Sequence, residues 1–369
     1  MQIVKVKMPH HPYEVQIASG QLNGTFMTGL ISRYNSVSDY VIITDAQIFG
    51  LYSDWLTDRN VIIVASGESS KCFSMLENVL EQMASYQLTR NGLVIAFGGG
   101  VIGDLAGFAA SVYKRGIRWI GVPTTLLSMV DSSVGGKVAV NLRAGKNLAG
   151  AFHQPEAVFI DPVMLDTLDK REVSNGLAEM VKLGVALDKD YFEALERFPI
   201  EKVFSAHELT SHEAERWSDL IRRACEIKAE IVASDERDTG RRMLLNFGHT
   251  IGHAIERYDS YRERLHGEAV AMGMWLKCRI AHSEGFISAD VLLRIGCLLD
   301  RCGLKRTLPP MEIDAFRSLL EGIGHDKKQD HQIHEGQVNW VVLRGLGSST
   351  LASLPYHEMM NKLEEAYKE

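Results

Sequence analysis

The residues best equipped for chemistry lie in the second half of the chain. Glu179 and three histidines, His249, His253 and His266, sit in helix-like, glycine-rich strings. These are Asn-Gly-Leu-Ala-Glu179-Met-Val-Lys182, Leu-Asn246-Phe-Gly-His249-Thr-Ile-Gly-His253-Ala and His266-Gly-Glu-Ala-Val. Neutral imidazoles plus a carboxylate, with one coordination position left open, are how a catalytic divalent metal is held. His249 and His253 are four apart and share a helical face, so both could meet one ligand. A lone helical pair is more often structural; His266 and Glu179 tip the reading to metal, and spacing leaves open which histidines are the ligands. Lys182 follows Glu179 by three residues and shares its face. Lys228 and Arg242 add cations, each of which alone reads as i,i+4 pairing on an exposed helix.

The first half offers a second kind of site. Gly98-Gly99-Gly100 follows a strand pattern and opens a helix, where a pyrophosphate can approach the backbone. Its spacing is not Gly-x-Gly-x-x-Gly, so the loop alone also fits a plain tight turn. Asp45 ends the run Val41–Thr44, either to grip ribose hydroxyls or to cap a helix. Ser66-Gly-Glu68-Ser-Ser-Lys71 ends another strand with an acceptor and a cation. Asp104 is as well explained by helix-dipole compensation as by a site. Pro123-Thr124-Thr125 runs on through Asp131, in an apolar helical pattern, to Gly135-Gly136-Lys137, and Gly145-Lys146-Asn147 repeats the glycine–lysine motif. A lysine after glycines is a common phosphate contact. A metal site and a dinucleotide site in one chain point to redox chemistry on a hydroxyl group.

These residues need two domains to position them, and 369 residues suffice for two. Short apolar runs at Val41–Thr44, Val61–Ala65, Leu93–Phe97, Trp119–Val122 and Ala157–Ile160 suit strands buried on both faces. Helical patterns over Cys72–Leu88 and Val101–Tyr113 alternate with them. The expectation is an α/β Rossmann-like dinucleotide-binding domain over residues 1–161. Asp161-Pro162 breaks the pattern, and a mainly α-helical metal- and substrate-binding domain follows over 162–369, with a strand at Val338–Leu343 and a closing helix at His357–Tyr367. A net charge of -7 argues against a nucleic-acid partner. The five cysteines include no Cys-x-x-Cys pair and read as thiols of a reducing compartment. Met1–Ser19 has no continuous apolar stretch, and no run approaches the ~18 apolar residues of a membrane span. No membrane association and a cytoplasmic location are expected.

Taken in order, the strings resemble the 3-dehydroquinate synthase family over nearly the whole chain. They are Gly-Gly-Gly-Val-Ile-Gly-Asp-Leu, Arg115-Gly, Val-Pro-Thr-Thr-Leu-Leu-Ser, Val-Asp-Ser-Ser-Val-Gly-Gly-Lys-Val-Ala-Val-Asn, Gly-Lys-Asn-Leu, Gly-Leu-Ala-Glu, Glu-Arg-Asp-Thr-Gly, Gly-His-Thr-Ile-Gly-His-Ala and His-Gly-Glu-Ala-Val. The resemblance implies a lyase of the shikimate pathway. It converts 3-deoxy-D-arabino-heptulosonate 7-phosphate to 3-dehydroquinate and phosphate, with NAD regenerated in each turnover and a divalent metal, zinc or cobalt. It implies Glu179, His249 and His266 as metal ligands, with His253 a nearby catalytic or substrate-contacting residue. Asp45, Glu68, Lys71, Gly99, Gly100, Asp104, Thr124, Thr125, Lys137 and Lys146 hold NAD on this reading. Lys137, Asn147, Asn246 and one of Lys327 or Lys328 surround the phosphate, and Arg115 reaches in from the partner of a homodimer. Lys228 and Arg242 meet the carboxylate, while Lys182 and Asp131 lie beside the reacting hydroxyls. The chain departs from the family with histidine at position 153, where tyrosine is common, with a polar stretch between Phe198 and Ser218, and with His331 and His334 in the tail. The rival readings are a secondary-metabolism sugar-phosphate cyclase such as 2-epi-5-epi-valiolone synthase, whose substrate lacks a carboxylate, and a metal-dependent polyol dehydrogenase.

Overall fold

The computed structural model describes all residues except 35–38, 58, 206–208, 260–262, 309–310, 322–336 and 369. Lys327, Lys328, His331 and His334 lie outside the described residues. The chain divides into two compact units. One comprises Met1–Leu168 with His207–Arg237, the other Asp169–Ala206 with Asp238–Glu369.

The first unit begins with a hairpin, β1 (Gln2–Val6) and β2 (Tyr13–Ile17). It continues through α1 (Gly24–Tyr34), β3 (Tyr40–Asp45), α2 (Ala46–Leu56), β4 (Val61–Val64), α3 (Phe73–Ser85), β5 (Leu93–Gly98), α4 (Gly100–Val112) and β6 (Arg118–Pro123). A second hairpin, β7 (Lys137–Leu142) and β8 (Gly145–Phe152), precedes β9 (Ala157–Ile160). Among the described residues the main sheet has the order β1-β2-β9-β6-β5-β3-β4. From β2 to β4 every neighbouring pair is parallel. The five expected strands are all present; the β-branched runs of β3, β5, β6 and β9 are buried under helices, while β4, at the sheet edge, leaves Ile63 exposed. Counting β3, β4, β5, β6 and β9 in chain order, the sheet reads 2-1-3-4-5, a doubly wound arrangement whose connections reverse direction between β3 and β5. The β7–β8 hairpin is outside this sheet and was not expected from the sequence, which suggested only a Gly-Gly-Lys turn there.

The second unit is mainly helical: α5 (Lys170–Ala186), α6 (Lys189–Arg197) and α7 (Ile200–Ser205) come first. The chain then returns to the first unit as α8 (Ser211–Ser234). It re-enters the second as α9 (His249–Tyr258), α10 (His266–Ser283), α11 (Ala289–Arg301), α12 (Ile313–Glu321), the hairpin β10 (Gln337–Gly345) and β11 (Ser348–Pro355), and α13 (Tyr356–Lys368). The single cut expected after residue 161 is therefore corrected. The chain passes between units three times, because α8 packs its buried face, including Trp217, Ile221 and Ala224, within the first unit, with β1 as a neighbour. Among the described residues no helix is long and apolar enough to cross a membrane. The five cysteines are unpaired, three of them buried.

Candidate metal centre and dinucleotide crevice

In the second unit, α5, α9 and α10 each contribute one side chain to a buried cluster. One ligand-type atom each from Glu179, His249 and His266 lie within 4.8 Å of one another. Glu179 Oε1 is 3.5 Å from His249 Nε2 and 3.6 Å from His266 Nε2. Tetrahedral coordination with bonds of about 2.0–2.2 Å places ligand atoms about 3.3–3.6 Å apart, so the spacing fits a zinc-type ion. Glu179 Oε1 is also buried without a hydrogen bond. A buried carboxylate oxygen is costly to leave so, and a cation at this point would satisfy it.

The imidazoles are oriented from behind. His266 Nδ1 lies 3.2 Å from Glu256 Oε2, and His249 Nδ1 lies 3.3 Å from the Phe247 carbonyl. When Nδ1–H donates to these acceptors, the Nε2 lone pairs face Glu179, as second-shell partners of metal ligands do. Burial alone would raise the Glu179 carboxyl, yet the Lys182 ammonium, paired with its Oε2, and the nearby His266 hold it well below the usual carboxylate range. Burial would likewise lower His266, but the charge of Glu256 and the nearby Glu179 outweigh it and push it up to about 10. The cluster favours positive charge, which a divalent cation would supply.

Local sequence explains the placement. Gly248, at φ 81°, turns the chain from Phe247 into α9, so that His249 is its first residue. His266 is the first residue of α10, where Glu268 accepts from the Leu265 amide at 2.9 Å and takes a forked bond from Arg171 of α5. Asn175 Oδ1 accepts from the Gly267 amide at 2.6 Å, tying α5 to α10 beside the cluster. His253 lies one turn beyond His249. It groups with Glu256 and His266 rather than with Glu179, which distinguishes it from His249 where spacing could not. Glu256 was assigned no role from sequence, although residues 249, 253 and 256 share a helical face. Arg242 is buried in the short 3-10 turn Arg241–Asn246, which ends on the half-buried Asn246.

In the first unit, five of the candidate dinucleotide residues, Asp45, Gly99, Gly100, Thr124 and Thr125, lie at the carboxyl ends of the strands. Asp45 ends β3 and Gly98 ends β5, adjacent strands flanking the switch point, where doubly wound sheets bind ligands. Gly98 is level with Pro123 in the parallel register, so Gly99, Gly100, Thr124 and Thr125 leave the sheet together. The N-terminus of α4, at Gly99, has no side-chain cap. Asp45 does cap α2: its Oδ1 accepts from the Gln47 and Ile48 amides and from Ser66 Oγ at 2.9, 3.1 and 2.7 Å. Capping occupies Oδ1 and is compatible with a ribose contact through Oδ2.

Beyond the crevice, Lys71 is buried in an ion pair with Asp104, so Asp104 is more than a dipole-compensating charge. Exposed Glu68 accepts from Asn141 Nδ2 at 2.7 Å, and Asn141 Oδ1 accepts from the Asn147 amide at 2.9 Å. Asn141, given no role from sequence, thus ties the loop after β4 to the β7–β8 hairpin and holds Asn147 in a left-handed conformation at φ 55°. Lys137 is exposed at the start of β7, and Lys146 is half-buried in β8. Asp131 lies in a π-helical turn, Ser128–Ser132, where Lys228 of α8 bonds its Oδ1 at 2.5 Å and its carbonyl at 2.6 Å. Arg115 is exposed in the turn after α4.

A doubly wound α/β unit with an open switch point, joined to a helical unit bearing a carboxylate–dihistidine cluster, defines a class that pairs a nucleotide-type crevice with a metal-type centre. Comparison with known proteins narrows the class. The family model described as 3-dehydroquinate synthase N-terminal matches residues 61–175, and that described as 3-dehydroquinate synthase C-terminal matches 176–329. The 3-dehydroquinate synthase of Thermoanaerobacter pseudethanolicus is 39% identical over 99% of this chain and 100% of its own. Among solved structures, 2-epi-5-epi-valiolone synthase from Streptomyces hygroscopicus subsp. jinggangensis 5008, with NAD+ and Zn2+ bound, is 27% identical at a TM-score of 0.81, covering 96% of this chain and 95% of that one. A 2-deoxy-scyllo-inosose synthase complexed with carbaglucose-6-phosphate, NAD+ and Co2+ is 25% identical at a TM-score of 0.80, covering 99% of each. The chain belongs to the 3-dehydroquinate synthase family.

Proposed function

We propose that the chain is a lyase that converts 3-deoxy-D-arabino-heptulosonate 7-phosphate to 3-dehydroquinate and inorganic phosphate. The observation that carries this reading is the buried Glu179–His249–His266 cluster, whose carboxylate oxygen lacks a hydrogen bond, in a chain of this family. A divalent cation there would acidify a substrate hydroxyl, and NAD along the β3–β5 crevice would accept and return a hydride. Glu256 and the Phe247 carbonyl keep the two imidazoles turned toward Glu179. Lys182 stabilises the ionised carboxylate of Glu179, and His253, whose ring neighbours that of His266, serves to exchange a proton with the substrate. Asp45, Glu68, Lys71, Gly99, Gly100, Asp104, Thr124, Thr125, Lys137 and Lys146 serve NAD. Lys137, Asn147 and Asn246 bind the phosphate, Arg242 and Lys228 the carboxylate, and Asp131 orients Lys228. The active form is a homodimer in which Arg115 serves the partner's site.

The test is phosphate release with catalytic NAD, offering the heptulosonate phosphate and sedoheptulose 7-phosphate in parallel. Release from the keto acid without NADH build-up is expected. Chelation should abolish it, and zinc or cobalt should restore it. Release from the sugar phosphate only would move the protein to the valiolone-type cyclases, and full activity in metal-free protein would remove the cluster from the reaction.

A further inference from the structure

We infer that His153 is a positioning residue for the cationic turn Lys114–Arg115–Gly116, holding it in register with the Gly136–Lys137 end of β7. The inference rests on the proposed roles of Arg115 and Lys137 at the substrate phosphate. Three successive residues of the turn have left-handed backbone: φ is 48° at Lys114, 69° at Arg115 and 112° at Gly116. L-residues with long side chains disfavour this region and stay there only where the surroundings over-determine it.

The exit of the turn is fixed by few bonds. Gly116 N donates to the Tyr113 carbonyl and Ile117 N to the Ala110 carbonyl, both at 2.9 Å. The Ile117 carbonyl accepts from His153 Nε2 at 2.8 Å. The same residue reaches the other segment through its backbone: His153 N donates to the Gly136 carbonyl at 2.8 Å, and its own carbonyl accepts from Trp119 Nε1 at 3.1 Å. One residue thus spans the turn that carries Arg115 and the glycine that precedes Lys137. Of its three bonds only the imidazole one depends on the side chain. Burial, the largest influence on the ring, pushes its pKa down, with His11 and Glu156 the titratable groups around it. The ring is therefore neutral, with Nε2–H as the donor to Ile117.

His153→Phe removes that donor and keeps an aromatic ring, somewhat larger, at this partly exposed position, whereas His153→Gln restores an N–H at similar reach. With the intact enzyme and the heptulosonate phosphate as probe, His153→Phe is expected to raise KM about tenfold, one hydrogen bond's worth of positioning. NAD affinity and bound metal should stay unchanged, and His153→Gln should recover most of the loss. In an Arg115→Ala background, His153→Phe should add little, because the residue acts through that turn. An unchanged KM in His153→Phe, with Arg115→Ala impaired, would overturn the inference while leaving the functional reading intact. Full additivity of the two losses would overturn it as well. An Arg115→Ala enzyme of normal KM would remove the Arg115 assignment, and this inference with it.

Discussion

Lys277 is a charged side chain buried in the helical unit without an ion pair among the described residues. Its Nζ donates to the Val341 carbonyl at 3.0 Å and sits 3.6 Å from the centroid of the Trp340 ring and 5.8 Å from that of Phe247. Burial pushes its pKa down to about 7. An unfolded lysine keeps its proton to about pH 10.4. Between these values the unfolded chain holds more protons, so this residue makes stability rise with pH; below about 7 its full cost is present. Lys277→Met is expected to raise Tm at pH 7 by the equivalent of about 1–3 kcal/mol and to flatten the stability curve between pH 7 and 9. Thermal unfolding across that range checks it. A lower Tm would mean that the aromatic faces and the Val341 bond outweigh the cost of burial.

At the scale of elements, the metal-type cluster depends on how closely α5 approaches α10. A Cβ added at Gly267 would lie 2.2 Å from the Asn175 carbonyl of α5. These two helices carry Glu179 and His266, so pushing them apart opens the 3.6 Å spacing between ligand atoms. Gly267→Ala is predicted to destabilise the fold by about 1–3 kcal/mol through overpacking. It should also weaken zinc binding roughly tenfold, read by competition with a chromogenic chelator. Unchanged zinc affinity in a folded variant would show that the cluster tolerates helix displacement. The β7–β8 hairpin works in the other unit by a different device. Asn141 bridges Glu68 and Asn147 with two polar bonds, so hairpin and crevice are coupled without any share of the main sheet.

At the scale of the whole molecule, the assignment of Arg115 to the partner's site makes a prediction that no single chain could satisfy. As homodimers, Arg115→Ala should be strongly impaired and His249→Ala inactive. Co-expressed at equal levels, they should form mixed dimers in which one site carries both defects and the other carries neither. With random pairing, activity should return to about a quarter of the unmodified level. Absence of any recovery in verified mixed dimers would place Arg115 in its own chain's site or outside the reaction.

The strings around Glu179, His249 and His266 were legible because metal-type side chains came with the glycines and helical periods that seat them. The β-branched runs of β3, β5 and β6 were legible because strands buried on both faces are apolar throughout. Periodicity reports which face a residue occupies, and it is silent on what that face meets. His249 and His253 therefore looked equivalent, since residues four apart share a face. They differ in height by about one 5.4 Å turn, and only His249 is level with Glu179 and His266. The same silence hid the partners Asn141–Glu68 and Lys228–Asp131, which are 73 and 97 residues apart. It also hid the return of α8 to the first unit, because an amphipathic helix announces that it needs a core but not which one. Residue chemistry and element type are local consequences of the sequence; the pairing of charges, the level of each ligand and the core a helix joins were decided only when distant segments packed.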